Sequence, residues 1–265
     1  MKTLAAILAM AFLVAGVSPV RAEVKTEVVE YRDGDVVLEG YMAYDASIRG
    51  KRPGVMVVHE WFGQTSYERK RVEQLARLGY VAFAIDMYGK GVRARDGKEA
   101  AALAGKYLGD RKLMRSRAAA GLDVLRNRPE TDPARLAAIG YCFGGTTVLE
   151  LARSGADLAS VVSFHGGLST PTPGDARNIK AKVLVLHGAD DPLVPRKDVE
   201  AFQEEMRKGG VDWQFVYYGG AVHRFSNPEA GNDASTGLAY NERADRRSWE
   251  AMKAFFAETL HGKGK

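Results

Sequence analysis

Cys142 lies in a segment with the spacing of an enzyme nucleophile, Gly140-Tyr-Cys-Phe-Gly144. A Gly-x-Cys-x-Gly sequence that links an apolar β-branched run to a helical run is typical of a nucleophile elbow, a tight and strained turn that projects the reactive side chain. Glycines on both sides relieve crowding, and the N-terminus of the following helix favours a thiolate. The backbone amide of Phe143 is then placed to donate to an oxyanion. The segment predicts nucleophilic catalysis by cysteine.

An alternative interpretation treats Cys142 as a structural residue, since a free cysteine often packs like a small apolar side chain. The chain has only this one cysteine, so no disulfide can form within it. The runs on either side of Cys142, and the acid and base that follow it, favour the nucleophile.

An acid and a base follow the cysteine in the order that such an active site requires. Asp191 lies in His187-Gly-Ala-Asp-Asp-Pro192, directly after an apolar run, and the adjacent Asp190 is the alternative acid. His223 lies beyond the last apolar run, on a glycine-rich stretch. A histidine in that position can accept the proton of the thiol, and a carboxylate can orient the histidine. We therefore predict that His223 is the base and that Asp191 orients it.

The other histidines have a simpler interpretation. His59, His165 and His187 each end a predicted strand, so we expect them to line or buttress the site, and His261 lies in a Gly/Lys-rich tail. No two histidines have the His-x-x-x-His spacing of metal ligands. We expect neither a metal nor another cofactor.

The elements that must position these residues form a regular pattern after residue 50. Short apolar runs alternate with longer amphipathic ones, which is typical of a parallel sheet with helices on both faces. The predicted strands are Val55–His59, Val81–Ile85, Leu136–Gly140, Ser160–His165, Val183–His187 and Trp213–Tyr217. The predicted helices are Ser66–Leu78, Arg111–Arg126, Gly144–Ser154, Arg196–Lys208 and Asn241–Thr259.

Two further segments complete this architecture. Asp33-Gly34-Asp35 lies between Glu23–Arg32 and Val36–Ala43, which predicts an antiparallel hairpin before the parallel sheet. The segment Asn227–Asn241 is rich in Gly, Ala, Asp and Ser and is interpreted as a lid or a surface loop. No linker interrupts the pattern, so residues 23–265 are expected to form one domain.

The N-terminus resembles an export signal. Lys2 precedes the apolar run Leu4–Val17, and Val20-Arg21-Ala22 has the small residues that a signal peptidase requires. The run is shorter than the roughly 20 apolar residues of a membrane span, although an uncleaved anchor is the alternative. We predict a signal peptide over residues 1–22, cleavage near Ala22, a periplasmic or secreted protein and no stable membrane insertion afterwards. Without Lys2 and Arg21 the formal charge falls from +5 to about +3, which is small and dispersed and argues against a nucleic-acid partner.

Taken together, these residues resemble the dienelactone hydrolase family, with the likeness extending from Glu27 to Leu260. The resemblance implies an α/β-hydrolase fold and cleavage of an ester or lactone bond through a cysteine thioester, with a small-molecule substrate. The chain is expected to be a monomer or a small homo-oligomer. The segments that carry the resemblance are His59-Glu-Trp-Phe-Gly63, Asp86-Met-Tyr88, Gly140-Tyr-Cys-Phe-Gly-Gly145, His187-Gly-Ala-Asp-Asp-Pro192 and His223-Arg-Phe225.

The resemblance also implies roles for two residues that composition does not reveal. Glu60 would contact the resting thiol and give it up when substrate binds, which would protect Cys142 from oxidation. The alternative interpretation of Glu60 is an acid on a surface loop. The amide of Trp61 would join that of Phe143 in the oxyanion hole.

The substrate is less well defined by the sequence. The resemblance implies two arginines that bind a substrate carboxylate, but the corresponding positions hold Lys90 and Asn227. Hydrolysis of dienelactone itself, or a broad carboxylesterase or thioesterase activity, therefore stay open as alternatives. A noncatalytic protein on this fold is a further alternative, and a thiol oxidoreductase would need a second cysteine. The substrate-binding candidates are Tyr88, Lys90, Arg93, Arg224 and Phe225.

Overall fold

The computed structural model of the protein describes residues 22–261. The predicted signal peptide lies outside these residues, apart from Ala22. Within the described part of the chain, no helix is long and apolar enough to cross a membrane.

One mixed sheet organises the described residues. Its strands are β1 (Val24–Asp33), β2 (Val36–Asp45), β3 (Arg52–Val58), β4 (Val81–Ile85), β5 (Thr131–Tyr141), β6 (Ser160–Phe164), β7 (Lys182–Gly188) and β8 (Trp213–Tyr218). The α-helices are α1 (Ser66–Arg77), α2 (Gly97–Gly109), α3 (Arg111–Arg126), α4 (Phe143–Arg153), α5 (Arg196–Gly209) and α6 (Glu242–His261).

The strand order in the sheet is β1-β2-β4-β3-β5-β6-β7-β8. Strands β1 and β2 pair antiparallel and β2 pairs antiparallel with β4, whereas all pairs from β4 through β3 to β8 are parallel. Gly34 lies in the turn of the hairpin with a φ of 59°, a left-handed conformation that glycine adopts without strain. The mostly parallel sheet with an N-terminal antiparallel hairpin is confirmed, and it is the α/β-hydrolase fold.

Apolar side chains fill a layer on each face of the sheet. Helices α2 to α5 cover one face, where Tyr107, Leu122 and Phe202 are buried. Helices α1 and α6 cover the other face, where Leu75 and Phe256 are buried. Burial on both faces explains why the central strands are continuous apolar runs instead of alternating ones.

Helix α2 is not among the helices expected from the sequence. Its sequence, from Gly97 to Gly109, contains three glycines and a buried face made largely of alanines, so its amphipathic pattern is weak. The helix begins at a cap that is visible in the sequence, because Asp96 accepts a hydrogen bond from the amide of Glu99 at 2.9 Å. The alanines and leucines of α2 favour a helix locally, so the signal that the sequence lacks is a wide apolar stripe and not helix propensity.

Candidate active site

The turn between β5 and α4 holds Cys142 in a strained backbone conformation. Its φ is 54° and its ψ is −115°, outside the conformations that side chains normally permit. A Cβ at Gly140 would lie 2.0 Å from the carbonyl oxygen of Gly144, and a Cβ at Gly144 would lie 2.2 Å from that of Val58. The two glycines of the motif are thus required by close backbone contacts.

The structure brings Cys142, His223 and Asp191 into one hydrogen-bonded line. Nε2 of His223 lies 3.1 Å from Sγ of Cys142, and Nδ1 of His223 lies 2.8 Å from Oδ2 of Asp191. The three residues follow β5, β8 and β7, which end at the same edge of the sheet. The aspartate and the histidine are buried, with 8% and 5% of their surface exposed.

The two neighbouring aspartates have different partners. Oδ1 of Asp191 accepts from the amide of Leu193 at 2.8 Å, which leaves Oδ2 for the imidazole. Oδ2 of Asp190 instead accepts from the amide of Gly220 at 2.9 Å, in the loop before His223. The structure therefore places Asp191, and not Asp190, against the histidine.

The charge of His223 depends on its two neighbours. Burial by itself lowers the pKa of His223, but the facing sulfur of Cys142 and the hydrogen bond to Asp191 outweigh burial and raise the pKa to about 10. At neutral pH the ring therefore holds a proton and presents a cation to the sulfur.

We expect the ring nitrogens of His223 to titrate near pH 10 in the wild type, and at a lower pH in Cys142→Ala, because the substitution removes one of the groups that raise the pKa. The measurement is ¹⁵N NMR of the imidazole across a pH series. The bound proton adds stability that is complete below the unfolded pKa of about 6.5 and is lost as pH rises toward the folded value. A wild-type titration below pH 7 would contradict this assignment.

The segment Asn227–Asn241 holds the base in place. The amide of His223 donates to the carbonyl oxygen of Gly237 at 3.2 Å, and the amide of Ala239 donates back to the carbonyl oxygen of His223 at 3.1 Å. Leu238 forms a parallel bridge with His223. The sequence offers no signal for this contact beyond the glycines of the segment.

Two residues predicted to form the oxyanion hole share a pocket with the sulfur. Phe143 is the first residue of α4 and Trp61 follows β3, and both residues line the same pocket as Cys142. Neither amide donates a hydrogen bond to another residue in the range 22–261. Tyr88 donates from Oη to the carbonyl oxygen of Trp61 at 2.9 Å and is buried. Tyr88 therefore positions Trp61, and its predicted contact with substrate stays a prediction.

A pocket of about 240 Å³ opens above the sulfur and is mostly apolar. Arg111 is the charged lining residue outside the triad, and it is absent from the residues predicted to bind substrate. The lining residues are Trp61, Ala104, Leu108, Arg111, Cys142, Phe143, Thr146, Gly167, Ser169 and His223.

The guanidinium of Arg111 makes only long contacts: Nη2 donates to the carbonyl oxygen of Ser169 at 3.4 Å, and Nη1 lies 3.7 Å from Sδ of Met114. Its buried Nε has no hydrogen-bond partner among the described residues and lies 3.9 Å from Oε1 of Glu150, whose oxygens already accept from Arg115 and Arg153. Burial lowers the pKa of Arg111. A signal was present in the sequence, since Arg111 and Lys112 open α3, where the helix dipole disfavours cations.

Glu60 lines a different pocket from Cys142, and its carboxylate is held by the side chains of an arginine and an asparagine. Its Oε2 accepts from Nη2 of Arg224 and from Nδ2 of Asn227, each at 2.7 Å. No hydrogen bond between Glu60 and Cys142 is present in the described structure, so the thiol contact that the resemblance implies is replaced here by the contact with His223. Glu60 and Arg224 line a second pocket of about 350 Å³, together with Arg93.

Two further substrate-binding candidates lie away from both pockets. Lys90 pairs with Glu30 on the exposed surface, because the chain after Tyr88 turns back toward β1. Phe225 is fully buried and packs against the rings of His165 and Tyr218. These two expectations are therefore corrected, and Phe225 has a packing role.

The strand-end histidines are buried hydrogen-bonding or packing groups. His59 donates from Nδ1 to the carbonyl oxygen of Glu60 at 2.5 Å and accepts from the amide of Met87 at 3.2 Å. His165 accepts from the amide of Cys142 at 3.1 Å. Within residues 22–261 there is no group of three side chains suited to a metal ion.

Comparisons with known proteins identify the family of this chain. A model of the dienelactone hydrolase family matches residues 38–260. A solved structure named m3DLH is 45% identical, with a TM-score of 0.87, and the match covers 89% of this chain and 99% of the other. A second, a dienelactone hydrolase-like promiscuous phosphotriesterase from metagenomic libraries, is 44% identical with a TM-score of 0.85 and the same coverage.

Curated relatives extend the comparison to named organisms. A Synechocystis protein assigned provisionally as a carboxymethylenebutenolidase is 27% identical over 90% of this chain and 98% of its own length. A Caenorhabditis elegans protein, K02A2.1, is 37% identical over 56% of this chain and 94% of its own length. The expectation of an enzyme that acts on ester or lactone bonds is confirmed. Because the family model spans most of the chain, the protein belongs to the dienelactone hydrolase family.

Proposed function

We propose that the protein hydrolyses an ester or lactone with Cys142 as nucleophile, His223 as proton carrier and Asp191 as the orienting carboxylate. The observation that carries this proposal is the continuous line from sulfur to imidazole to carboxylate, at 3.1 and 2.8 Å. This arrangement suits nucleophilic catalysis, in which a base serves the nucleophile and a third group orients the base.

Acylation begins when the Cys142 thiolate attacks the substrate carbonyl carbon. A C–S bond forms, and the carbonyl electron pair moves to oxygen, which the amides of Trp61 and Phe143 stabilise. The electron pair then returns and the C–O bond to the leaving group breaks. His223 donates its proton to the departing alkoxide, leaving a thioester and a neutral imidazole.

Deacylation uses the same groups, but His223 now accepts a proton instead of donating one. Neutral His223 takes a proton from water as the water oxygen attacks the thioester carbonyl. The C–S bond breaks, the acid leaves and Cys142 departs as thiolate beside the imidazolium. The starting state is restored without a cofactor.

The acyl-enzyme gives a direct test of this cycle. Quenching the enzyme in acid during turnover of a p-nitrophenyl ester should yield a protein heavier by one acyl group, located on Cys142 by peptide mass spectrometry. Hydroxylamine should remove the adduct, as expected for a thioester. An adduct on any other residue, or turnover without an adduct in rapid-quench samples, would overturn the mechanism.

Glu60 is proposed to act by moving between two partners. In the structure its carboxylate is held by Arg224 and Asn227. This position keeps a negative charge off the sulfur, where it would oppose ionisation of the thiol. Transfer of the carboxylate to Cys142 in a resting state would protect the thiol from oxidation.

The pocket above Cys142 supports a substrate whose acyl part is apolar and carries an anionic group, because Arg111 supplies a cationic side chain there outside the triad and its guanidinium makes only long contacts. We predict that Arg111→Met raises KM roughly 10- to 100-fold for an ester with a free carboxylate on its acyl part, the loss expected for a charged hydrogen bond. KM for the neutral analogue should change little. The measurement is steady-state kinetics on the two esters.

Lys90→Met is the matched control for Arg111→Met, because Lys90 lies on the exposed surface with Glu30. It should leave both KM values near those of the wild type. Equal effects of Arg111→Met on the charged and the neutral ester would contradict an anion-binding role and favour a broad carboxylesterase or thioesterase.

Phosphotriester hydrolysis is a second candidate activity. It is favoured by the solved relative at 44% identity that is named a promiscuous phosphotriesterase. The same sulfur would attack phosphorus and expel an aryloxide. Release of p-nitrophenol from a diethyl aryl phosphate by wild type, and not by Cys142→Ala, tests this activity.

The N-terminal segment supports export of the protein. We infer that cleavage near Ala22 releases a single-domain protein to the periplasm or the medium. The N-terminal sequence of the protein recovered from a bacterial periplasmic fraction tests the cleavage site.

A further inference from the structure

The backbone amide of Cys142 is held by two acceptors at the end of β6. It donates to the carbonyl oxygen of Phe164 at 3.0 Å and to Nδ1 of His165 at 3.1 Å. A ring nitrogen that accepts a hydrogen bond carries no proton, so neutral His165 has its proton on Nε2. The elbow thereby selects the tautomer of His165.

The protonated nitrogen of His165 extends a chain of hydrogen bonds away from the nucleophile elbow. Nε2 donates to Oγ of Ser226 at 2.8 Å, and Ser226 shares a hydrogen bond of 2.7 Å with Oη of Tyr67. Ser226 lies in the loop that carries His223, and Tyr67 lies in α1. This chain of hydrogen bonds connects the nucleophile to the loop that carries the catalytic base and to a helix on one face of the sheet.

The surroundings of His165 allow only its neutral form. The residue is fully buried, and its ring centroid lies 5.4 Å from that of His223. Burial, and then the charge of His223, hold the pKa of His165 well below its usual range. A proton on Nδ1 would set two donors against each other at the amide of Cys142, and a cationic ring would repel protonated His223.

We propose that His165 is a positioning residue whose neutral ring clamps the amide of Cys142 to the Ser226 hydroxyl, and so holds Sγ within reach of His223. The clamp maintains the elbow at a φ of 54°, which a cysteine would otherwise leave for a common conformation. This inference rests on the proposed function, because it assumes that Cys142 is the nucleophile.

Ser226→Ala tests the clamp without altering a pocket-lining residue. Loss of the Oγ acceptor lets the proton of His165 move to Nδ1 and weakens the hold on Cys142. We expect alkylation of Cys142 by iodoacetamide at neutral pH and kcat for ester hydrolysis to fall together, roughly five- to tenfold, as for the loss of one buried hydrogen bond. KM should stay near the wild-type value, whereas a general loss of structure would also alter KM.

Tyr67→Phe is the matched control. It removes a hydroxyl from the same chain of hydrogen bonds but leaves the bond between His165 and Ser226 intact, so alkylation and kcat should stay close to wild type. Thermal melting establishes that both variants are folded.

A second pair of variants decides the question if Ser226→Ala does not fold. Oδ1 of asparagine can occupy the place of Nδ1, and asparagine accepts the left-handed backbone of residue 165, where φ is 40°. His165→Asn should therefore alkylate faster than His165→Ala. Equal rates in these two variants would overturn the clamp.

Two other results would also overturn it. One is an alkylation rate in folded Ser226→Ala that equals that of wild type. The other is a ¹⁵N spectrum of the wild type that places the proton of His165 on Nδ1. If the wild type cleaves no ester but alkylation still falls in Ser226→Ala, the clamp is supported and the proposed hydrolysis fails, so the two claims are separable.

Discussion

Cys142→Ala is expected to lower kcat/KM for ester hydrolysis by at least roughly 10,000-fold, the scale of loss when a catalytic nucleophile is removed. The alanine cannot form the acyl-enzyme, while the amides of Trp61 and Phe143 and the pocket remain to give only residual activity. Initial rates on a p-nitrophenyl ester, with enzyme purified away from host esterases, provide the measurement.

Cys142→Ser is the informative companion to that variant. A serine keeps the size of the side chain but stays a neutral hydroxyl beside His223, since its proton is far less acidic than that of a thiol. We expect its activity to lie between those of wild type and alanine, with an oxygen ester as adduct that resists hydroxylamine more than a thioester does. Wild-type rates in Cys142→Ala would refute the nucleophile.

Asp191→Asn should reduce kcat by roughly 1,000- to 10,000-fold, as in other sites where this carboxylate is replaced by an amide. The amide cannot stabilise the imidazolium of His223, and it can present a donor to Nδ1 that favours the wrong tautomer. The volume of the side chain is conserved, so the fold should persist. Steady-state kinetics and NMR of the His223 ring measure the two consequences.

Asp190→Asn is the control for Asp191→Asn, because the neighbouring carboxylate binds the amide of Gly220 and not the imidazole. It should cause only a small loss of activity. A larger loss in Asp190→Asn than in Asp191→Asn would show that the roles of the two acids are exchanged in solution.

The triad and the sheet are predictable from sequence for the same physical reason. Parallel strands end at one edge, so residues that directly follow apolar runs, such as Cys142, Asp191 and His223, must meet there. The sequence favours Asp191, which stands next to Pro192, and the structure places Oδ2 of Asp191 against the ring while Asp190 binds a backbone amide.

Other parts of the site depend on contacts that leave no local pattern. Lys90 is close in sequence to Tyr88, but a turn sends it to Glu30 on the surface. Arg111 reaches the pocket because it begins α3 next to the residues of α2 that line the same pocket, and the apolar stripe of α2 is too narrow to predict that helix. Gly237 and Ala239 position His223 through backbone hydrogen bonds. Since every residue type has a backbone, such contacts leave no signal in the sequence.

The position of the sulfur also affects how readily the folded protein can form a disulfide with a second copy. A disulfide needs two Cβ atoms within about 4.5 Å of each other, but Cys142 is recessed in a pocket between Trp61 and Phe143. Because Cys142 is half-buried, we expect a second folded copy to reach its sulfur far less readily than another unfolded chain reaches the cysteine of an unfolded chain. The amount of disulfide-linked dimer in a preparation should therefore report how many chains collided while they were still unfolded.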